Sequence, residues 1–311
     1  MMESLFVIIV TYKGKQWYDR CFSSLRESTI PIQTIVVDNA SNDGTVEYIK
    51  EHFPEIHLIE SKENLGFGRA NNIAMRYALD HGCDYVFLLN QDAWVEPDTF
   101  EKMIAIHQRN QEYGILGCIN VTKEKDHMLG GFIPMIANPY TGSMKLIDDM
   151  YYSRVKEVYE IKSILAAAWL LPRVVLERIG GFHPLFFHFG EDDNYMQRVI
   201  YHGFKIGVCP LCPIVHDSTE KTKLEDAVRY RKKEYSQKRE WLLDWCDVNN
   251  SENRNQIGNR LFWKWLKQIA QLHFNKAAFY MEKYKYYKQN KSAIEDSWER
   301  CRTIGPHFLY S

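Results

Sequence analysis

The sequence predicts an α/β fold, a mostly parallel sheet with helices on both faces, followed by a helical C-terminal extension. Three observations carry that prediction. Short, unbroken apolar runs recur through the first 120 or so residues, a segment of helical period separates two of them, and past Arg229 the composition turns basic and aromatic. Strands covered on both faces read as continuous apolar runs, and the helices between them return the chain for parallel pairing.

Taken in order, Leu5–Val10 (LFVIIV) predicts the first strand, Thr34–Asp38 the second, His57–Glu60 the third and Tyr85–Leu89 the fourth. Between the last two, Ala70, Ile73, Ala74, Tyr77 and Ala78 recur at helical spacing, which predicts an amphipathic helix over Phe67–His81. Gly130–Gly142 is rich in Gly, Pro and Asn and reads as a long loop. The apolar run Ile164–Leu171 is closed by Pro172, and a helix follows that ends at Gly180 and Gly181. Residues 1–235 read as one catalytic α/β domain and residues 236–311 as the helical extension.

Bulk properties narrow the function classes. The 311 residues suffice for one large domain with an extension. Lys and Arg (39) nearly balance Asp and Glu (40), so no global field points to nucleic acid as a partner. The Leu5–Val10 run is too short for a secretory signal core, and no stretch reaches the roughly 20 apolar residues of a spanning helix. Seven scattered cysteines, an odd number, fit reduced thiols and a cytoplasmic protein. Cys209 and Cys212 are spaced like half of a zinc site with no second pair, and a strand end accounts for them better.

In a parallel sheet of this kind, ligands sit outside the carboxyl ends of the strands. Polar residues follow each predicted strand there: Thr11-Tyr12-Lys13-Gly14, then Asp38 to Gly44, then Asn64 to Asn72 ahead of the helix, then Asn90-Gln91-Asp92. Turn and cap chemistry accounts for any one of these segments alone. Four at one end of one sheet describe a nucleotide-diphosphate site. Asp38 can accept from a base edge beside Thr11 and Tyr12. Arg69, near a Gly-bounded helix start, offers a guanidinium fork to a diphosphate, and Asp92 offers a hard oxygen to Mg2+ or Mn2+. The chain has no GxxxxGK[ST] loop and no GxGxxG in its first turn, so ordinary NTPase and dinucleotide readings fall.

The segments VIIVTYKG, IVVDNASNDGT, NLGFGRANN, LLNQDA and GGFHPLFFHFGEDDNYMQR occur in the order seen in family 2 glycosyltransferases, which the chain resembles over about residues 4–217. The nearest likeness is to bacterial rhamnosyltransferase-like members. That resemblance implies a Rossmann-like GT-A fold and inverting transfer of a sugar from a UDP- or dTDP-linked donor. The acceptor would be a saccharide or lipid-linked hydroxyl in surface polysaccharide synthesis. It further implies that Thr11, Tyr12 and Asp38 hold the base, with Asn39 and Asp43 near the nucleoside. Gly66 and Arg69 would stand near the diphosphate or sugar. Asp92 matches the last carboxylate of the family's DxD metal motif. Asn90 stands where the first Asp would be and Gln91 replaces a Pro, so both count with the donor site and the need for metal is open. His216 matches a His that binds the metal in some members; a packed or capping His after a strand is the alternative.

The three acids Glu191, Asp192 and Asp193 follow an aromatic wall. Acids in a first helical turn are favoured by the helix dipole, which accounts for one or two of them. The resemblance aligns Glu191 and Asp192 with the family's ED pair, implying that Asp192 is the general base and Glu191 an orienting group. Asp193, Trp169 and Phe187 are acceptor-side candidates, with core packing as the other fate of the aromatics. In the extension, Leu261, Phe262, Trp265, Leu266, Ile269, Leu272 and His273 share one helix face flanked by Lys264 and Lys267. That face either packs on protein, the catalytic domain or a second copy, or lies on the inner surface of the plasma membrane. Two readings compete with a transferase: a nucleotide-sugar-binding protein without turnover, and a membrane-surface adaptor.

Overall fold

A computed structural model describes residues 3–217, 226–250 and 254–310 of the chain. The first half is a run of β/α units: β1 (Leu5–Thr11), α1 (Lys15–Arg26), β2 (Gln33–Asp38), α2 (Thr45–His52), β3 (His57–Glu60), α3 (Gly66–Asp80) and β4 (Tyr85–Asn90). Strand β1 pairs in parallel with β2 on one side and β4 on the other, and β3 adds in parallel outside β2. The apolar runs alternate between two cores, as the two-residue period of a strand requires. Phe6, Ile8, Ile35, Val37, Val86 and Leu88 face α3 with its Ala70, Ala74, Met75 and Ala78. Leu5, Val7, Ile9, Val36, Phe87 and Leu89 face the side that holds Tyr18, Phe22 and Leu25 of α1.

The second half is mixed. It comprises β5 (Ala93–Val95), α4 (Thr99–Arg109), β6 (Tyr113–Val121), α5 (Ile133–Ile136), α6 (Met144–Tyr151), β7 (Tyr159–Ile161), β8 (Ala168–Pro172), α7 (Arg173–Arg178), α8 (Glu191–Tyr201) and β9 (Lys205–His216). The described sheet runs β3-β2-β1-β4-β8-β6-β9-β5, with β7 also on β9. Strand β8, predicted only as an apolar run, lies antiparallel to both β4 and β6, whereas β6 and β9 are parallel. Strand order reverses between β1 and β4, the kind of place where open α/β sheets bind ligands.

Two expectations change. The 130–142 segment is not loop throughout, because α5 forms inside it. Cys209 and Cys212 lie within β9 and not at its end. There the register on β6 jumps from Cys118–Cys209 to Ile119–Pro213, so the intervening residues bulge. Both thiols are buried, and burial pushes Cys212 up to about 11. Among the described residues no group of three His, Cys, Asp or Glu is arranged to hold a metal.

By its internal contacts the chain divides into Met1–Lys221 with Ile304–Ser311, and Thr222–Thr303. The boundary precedes α9 (Asp226–Cys246), so the division expected at residue 235 falls inside a helix. The second unit is helical, with α10 (Arg254–Ala270) and α11 (Phe274–Arg302) joined by a short turn. Its core is aromatic: Trp245 meets Tyr287 at 5.3 Å between ring centroids, and Phe262 meets Tyr284 at 5.9 Å. The Lys283 ammonium sits 5.4 Å from the Trp241 ring centre and 5.5 Å from that of Trp245, and burial lowers its pKa. Among the described residues no helix is long and apolar enough to cross a membrane.

Candidate active site

Beyond the carboxyl ends of β1 and β4 lie two adjoining cavities. The larger, about 600 Å3, is lined by Asn90, Asp92, Leu129, Gly131, His188, Phe189, Glu191, Asp192 and His216, among others. The smaller, about 460 Å3, is lined by Tyr12, Asn39, Asn64, Gly66, Gln91 and Phe187. Phe67, Asn90, Asp92 and His188 line both, so the two form one crevice with a shared wall.

Backbone demands explain several of its residues. Gly66 has φ +77°, and a Cβ there would lie 2.1 Å from the Phe187 carbonyl oxygen, so only glycine lets α3 begin against that segment. Asn39 closes the turn ahead of α3: Leu65 N–H donates to Asn39 Oδ1 at 2.7 Å, and Asn39 Nδ2 donates to Gly66 O at 3.2 Å. Gln91 holds the β1 exit by both ends of its amide. It accepts from Tyr12 N–H at 2.9 Å and donates to Tyr12 O at 3.2 Å. The residue that replaces a Pro in the motif thus fixes the backbone of Tyr12.

Asp92 and His216 meet on the floor. Strands β5 and β9 pair Ala93 with His216, and Asp217 N–H donates to Asp92 O at 2.8 Å. His216 Nε2 stands 3.3 Å from Asp92 Oδ1. The other ring nitrogen, Nδ1, is 3.1 Å from Asn120 Oδ1, and the Asn120 amide is oriented by its Nδ2 donating to Cys118 O at 3.2 Å. When Nδ1 carries the proton toward Asn120, Nε2 turns its lone pair toward the Asp92 carboxylate oxygen. Two acceptors facing each other call for a proton or a cation between them, so this pair suits a divalent ion whose remaining ligands come from elsewhere.

The opposite wall is the start of α8. Phe189 (φ +64°) and Gly190 (φ +90°) turn the chain sharply into Glu191, Asp192 and Asp193. Glu191 is 4% exposed, and its Oε2 has no hydrogen-bond partner among the described residues. Its pKa is pushed up to about 7, first by burial and then by the Asp192 charge. Asp192 is half-buried and accepts from Asp193 N–H at 3.0 Å. Burial, then the Asp193 charge, pushes it up to about 6.

These shifts set a stability slope. Folded Glu191 keeps its proton up to about pH 7, whereas the unfolded chain releases it near 4.5. The folded state is therefore favoured most below about pH 4.5, and the contribution drains away as pH rises through 7. Its size is about 3 kcal/mol. Glu191→Gln is expected to flatten the fall in melting temperature between about pH 5 and about pH 8. Thermal unfolding at a series of pH values measures this directly, and an unchanged slope would place the titration elsewhere.

Not every expected site residue reaches the crevice. Asp38 is 1% exposed, and both carboxylate oxygens are engaged inside the protein, by Thr11 Oγ1 at 3.0 Å and Ser41 N–H at 2.8 Å. Thr11 and Asp38 stand behind the lining; Tyr12 and Asn39 form it. Asp43 is exposed, engages Thr45 at the start of α2, and lines neither cavity. Arg69 is exposed on α3 and lines neither cavity. Trp169 corrects an expectation outright: it is 0% exposed, packed against Phe182 and Tyr195, and offers no face to a sugar. Phe187, half-exposed, does line the smaller lobe, whereas Asp193 lines neither. The sequence reading missed His188, Phe67 and Asn120. His188 lay inside the quoted aromatic wall, but Asn120 had no signal, because its role depends on pairing across β6 and β9.

Residues 6–153 match the family described as Glycosyl transferase family 2. Residues 6–153 thus read as a Glycosyl transferase family 2 domain. Curated relatives agree at low identity. The chain is 24% identical over 233 residues to the low-salt glycan biosynthesis hexosyltransferase Agl10 of Haloferax volcanii, covering 73% of this chain and 72% of that protein. It is 21% identical over 223 residues to the dTDP-rhamnosyl transferase RfbF of Shigella flexneri, covering 71% and 72%. Among solved structures, the mannosyltransferase PcManGT of Pyrobaculum calidifontis, in complex with GDP-Man and Mn2+, superposes with a TM-score of 0.55 at 21% identity. That match covers 75% of this chain and 61% of the PcManGT chain. The fold of the glycosyl transferase domain is thus of GT-A type, with helices following it toward the C-terminus.

Proposed function

We propose that this protein is an inverting glycosyltransferase that moves a sugar from a nucleotide-diphosphate sugar to a hydroxyl of a saccharide or lipid-linked acceptor in glycan synthesis. The observation that carries the reading is the shared crevice: Asp92 with His216 on one wall and Asp192 with Glu191 on another line a single cavity of about 600 Å3. Relatives named as hexosyl- and rhamnosyltransferases support the class of reaction. The division expected from sequence, 1–235 and 236–311, gives way in this proposal to catalysis in Met1–Lys221 with Ile304–Ser311 and an extension over Thr222–Thr303.

In this reading the smaller lobe, with Tyr12, Asn39 and Asn64, takes the nucleoside, and Thr11 and Asp38 brace its wall from behind. Arg69, exposed on α3, and Asp43, exposed ahead of α2, stand outside both cavities and are kept as donor-side candidates. Asp92 and His216 would hold a Mn2+ or Mg2+ ion, which when bound supplies positive charge to the departing diphosphate. Asp192, half-buried and ionised above about pH 6, takes the acceptor proton. Glu191, more deeply buried and protonated to higher pH, donates a hydrogen bond that orients the acceptor or the base. The proton moves to Asp192 as the hydroxyl oxygen bonds to the anomeric carbon and the diphosphate leaves, inverting the centre.

A panel of UDP-, dTDP- and GDP-sugars, read by thermal shift with and without Mn2+, tests this. One donor is expected to raise the melting temperature, and Mn2+ to enlarge that rise in the wild type but not in His216→Ala. A protein indifferent to every nucleotide sugar would contradict the proposal.

A further inference from the structure

The second unit carries a surface that transfer chemistry does not use. The predicted apolar face of α10 is partly spent inside the unit: Leu261 is buried, and Phe262 packs against Tyr284 of α11. Its far end is different. Every residue from Ile269 to Lys276 is exposed, and the apolar ones among them are large. Leu272 is 72% exposed and Phe274 66%, and Trp263, two turns back on α10, is 68% exposed.

The turn itself is built in an unusual way. Leu272 N–H donates to Ile269 O at 2.9 Å and His273 N–H to Gln268 O at 2.9 Å, the paired bonds that end a helix with a left-handed residue. That residue is commonly glycine, because a side chain there is strained. Here it is Leu272, at φ +59°, and the strained position points an apolar side chain outward at the apex.

Charge at the tip has one sign. From Arg260 to Met281 the sequence contains Lys264, Lys267 and Lys276 and no Asp or Glu. The next acid, Glu282, lies about 12 Å along α11 from Phe274 at the 1.5 Å rise of a helix.

We propose that the α10–α11 turn docks on an anionic lipid bilayer, with Leu272 and Phe274 entering the acyl boundary. Trp263 would lie at headgroup level and Lys264, Lys267 and Lys276 would pair with lipid phosphates. A bilayer surface supplies hydrocarbon and negative charge in the same few ångströms, which is what this tip presents in complement. A second copy of the chain does not: a two-fold contact through the tip would set these lysines against their own images. The inference stands apart from the transferase reading and survives its failure.

The test uses the full chain with large unilamellar vesicles of phosphatidylcholine, alone or with about 30 mol % phosphatidylglycerol, a fraction chosen to give an anionic surface. Co-flotation is expected with the anionic vesicles only, and to fall at high salt. Leu272→Ser with Phe274→Ser is expected to lower partitioning at least about tenfold, and Lys264→Gln, Lys267→Gln and Lys276→Gln together by about a hundredfold. These side chains are exposed, so melting curves should match the wild type and confirm that the variants fold. All seven native cysteines are buried, so a fluorophore on Leu272→Cys reports the apex alone. Its emission should shift to the blue on anionic vesicles. Absence of flotation overturns the proposal, as does flotation with no shift at the apex. Light scattering that shows a dimer broken by Leu272→Ser and Phe274→Ser, without vesicle binding, would assign the tip to self-association and overturn it equally.

Discussion

Replacing Asp192 by Asn is expected to lower kcat by about 10^3-fold, within the 10^2–10^4 range that a positioned general base contributes. The amide keeps the shape of the carboxylate and its place on the first turn of α8 but has no basic oxygen for the acceptor proton. Donor affinity should hold within about twofold, because the nucleoside lobe and the Asp92–His216 pair are untouched. The pH profile supplies a sharper reading. In the wild type, kcat should rise with pH and level off above about 6, as Asp192 loses its proton. The variant should be low and flat through that range. If Glu191→Gln abolishes turnover while Asp192→Asn retains it, the two carboxylates have been given each other's roles.

Arg198→Met should destabilise the first unit by about 3 kcal/mol, the cost of leaving buried acceptors without donors. Arg198 is 1% exposed and lies about two turns along α8 from Glu191. Its guanidinium donates to Ile179 O at 3.0 Å and Gly181 O at 2.6 Å and lies over the rings of Tyr195 and Phe308. Methionine fills the volume but satisfies neither carbonyl. The same knot includes Asn72, which accepts from Phe182 N–H at 2.6 Å and donates to Phe182 O and Phe308 O. Gly181 N–H donates to His307 O at 2.8 Å, so the last residues of the chain are part of it. The melting temperature should fall by roughly 10 °C at the few degrees per kcal/mol typical of a domain this size. A fall of a degree or less would mean that water or rearranged backbone satisfies those carbonyls. Because α8 carries Asp192, kcat is expected to fall with stability in this variant.

The sequence made half of this architecture readable and left the other half obscure for a physical reason. Strands β1, β2 and β4 are buried on both faces over most of their length, so their apolar runs are unbroken and their positions evident within a residue or so, whereas the short edge strand β3 is only partly buried. The order of β8, β6 and β9 depends on which distant segments pair, and no local period encodes that. At the site, Asp92, Glu191, Asp192 and His216 were readable because each sits at an element end with a motif around it. Trp169 was misread because an aromatic near a site looks the same in sequence whether it lines a cavity or fills a core. Gln91 and Asn120 act through partners across the sheet, and the significance of Arg198 lies in carbonyls far from it in the chain.

The central claim is spatial: a donor diphosphate held by Asp92 and His216 faces Asp192 across one crevice. A crystal structure of the protein with UDP or dTDP and Mn2+ tests it most directly. The account predicts Mn2+ bonded to Asp92 and His216, the nucleoside between Tyr12 and Asn39, and open space between the diphosphate and Asp192. Nucleotide bound away from both cavities, or seated so that protein separates it from Asp192, would contradict it.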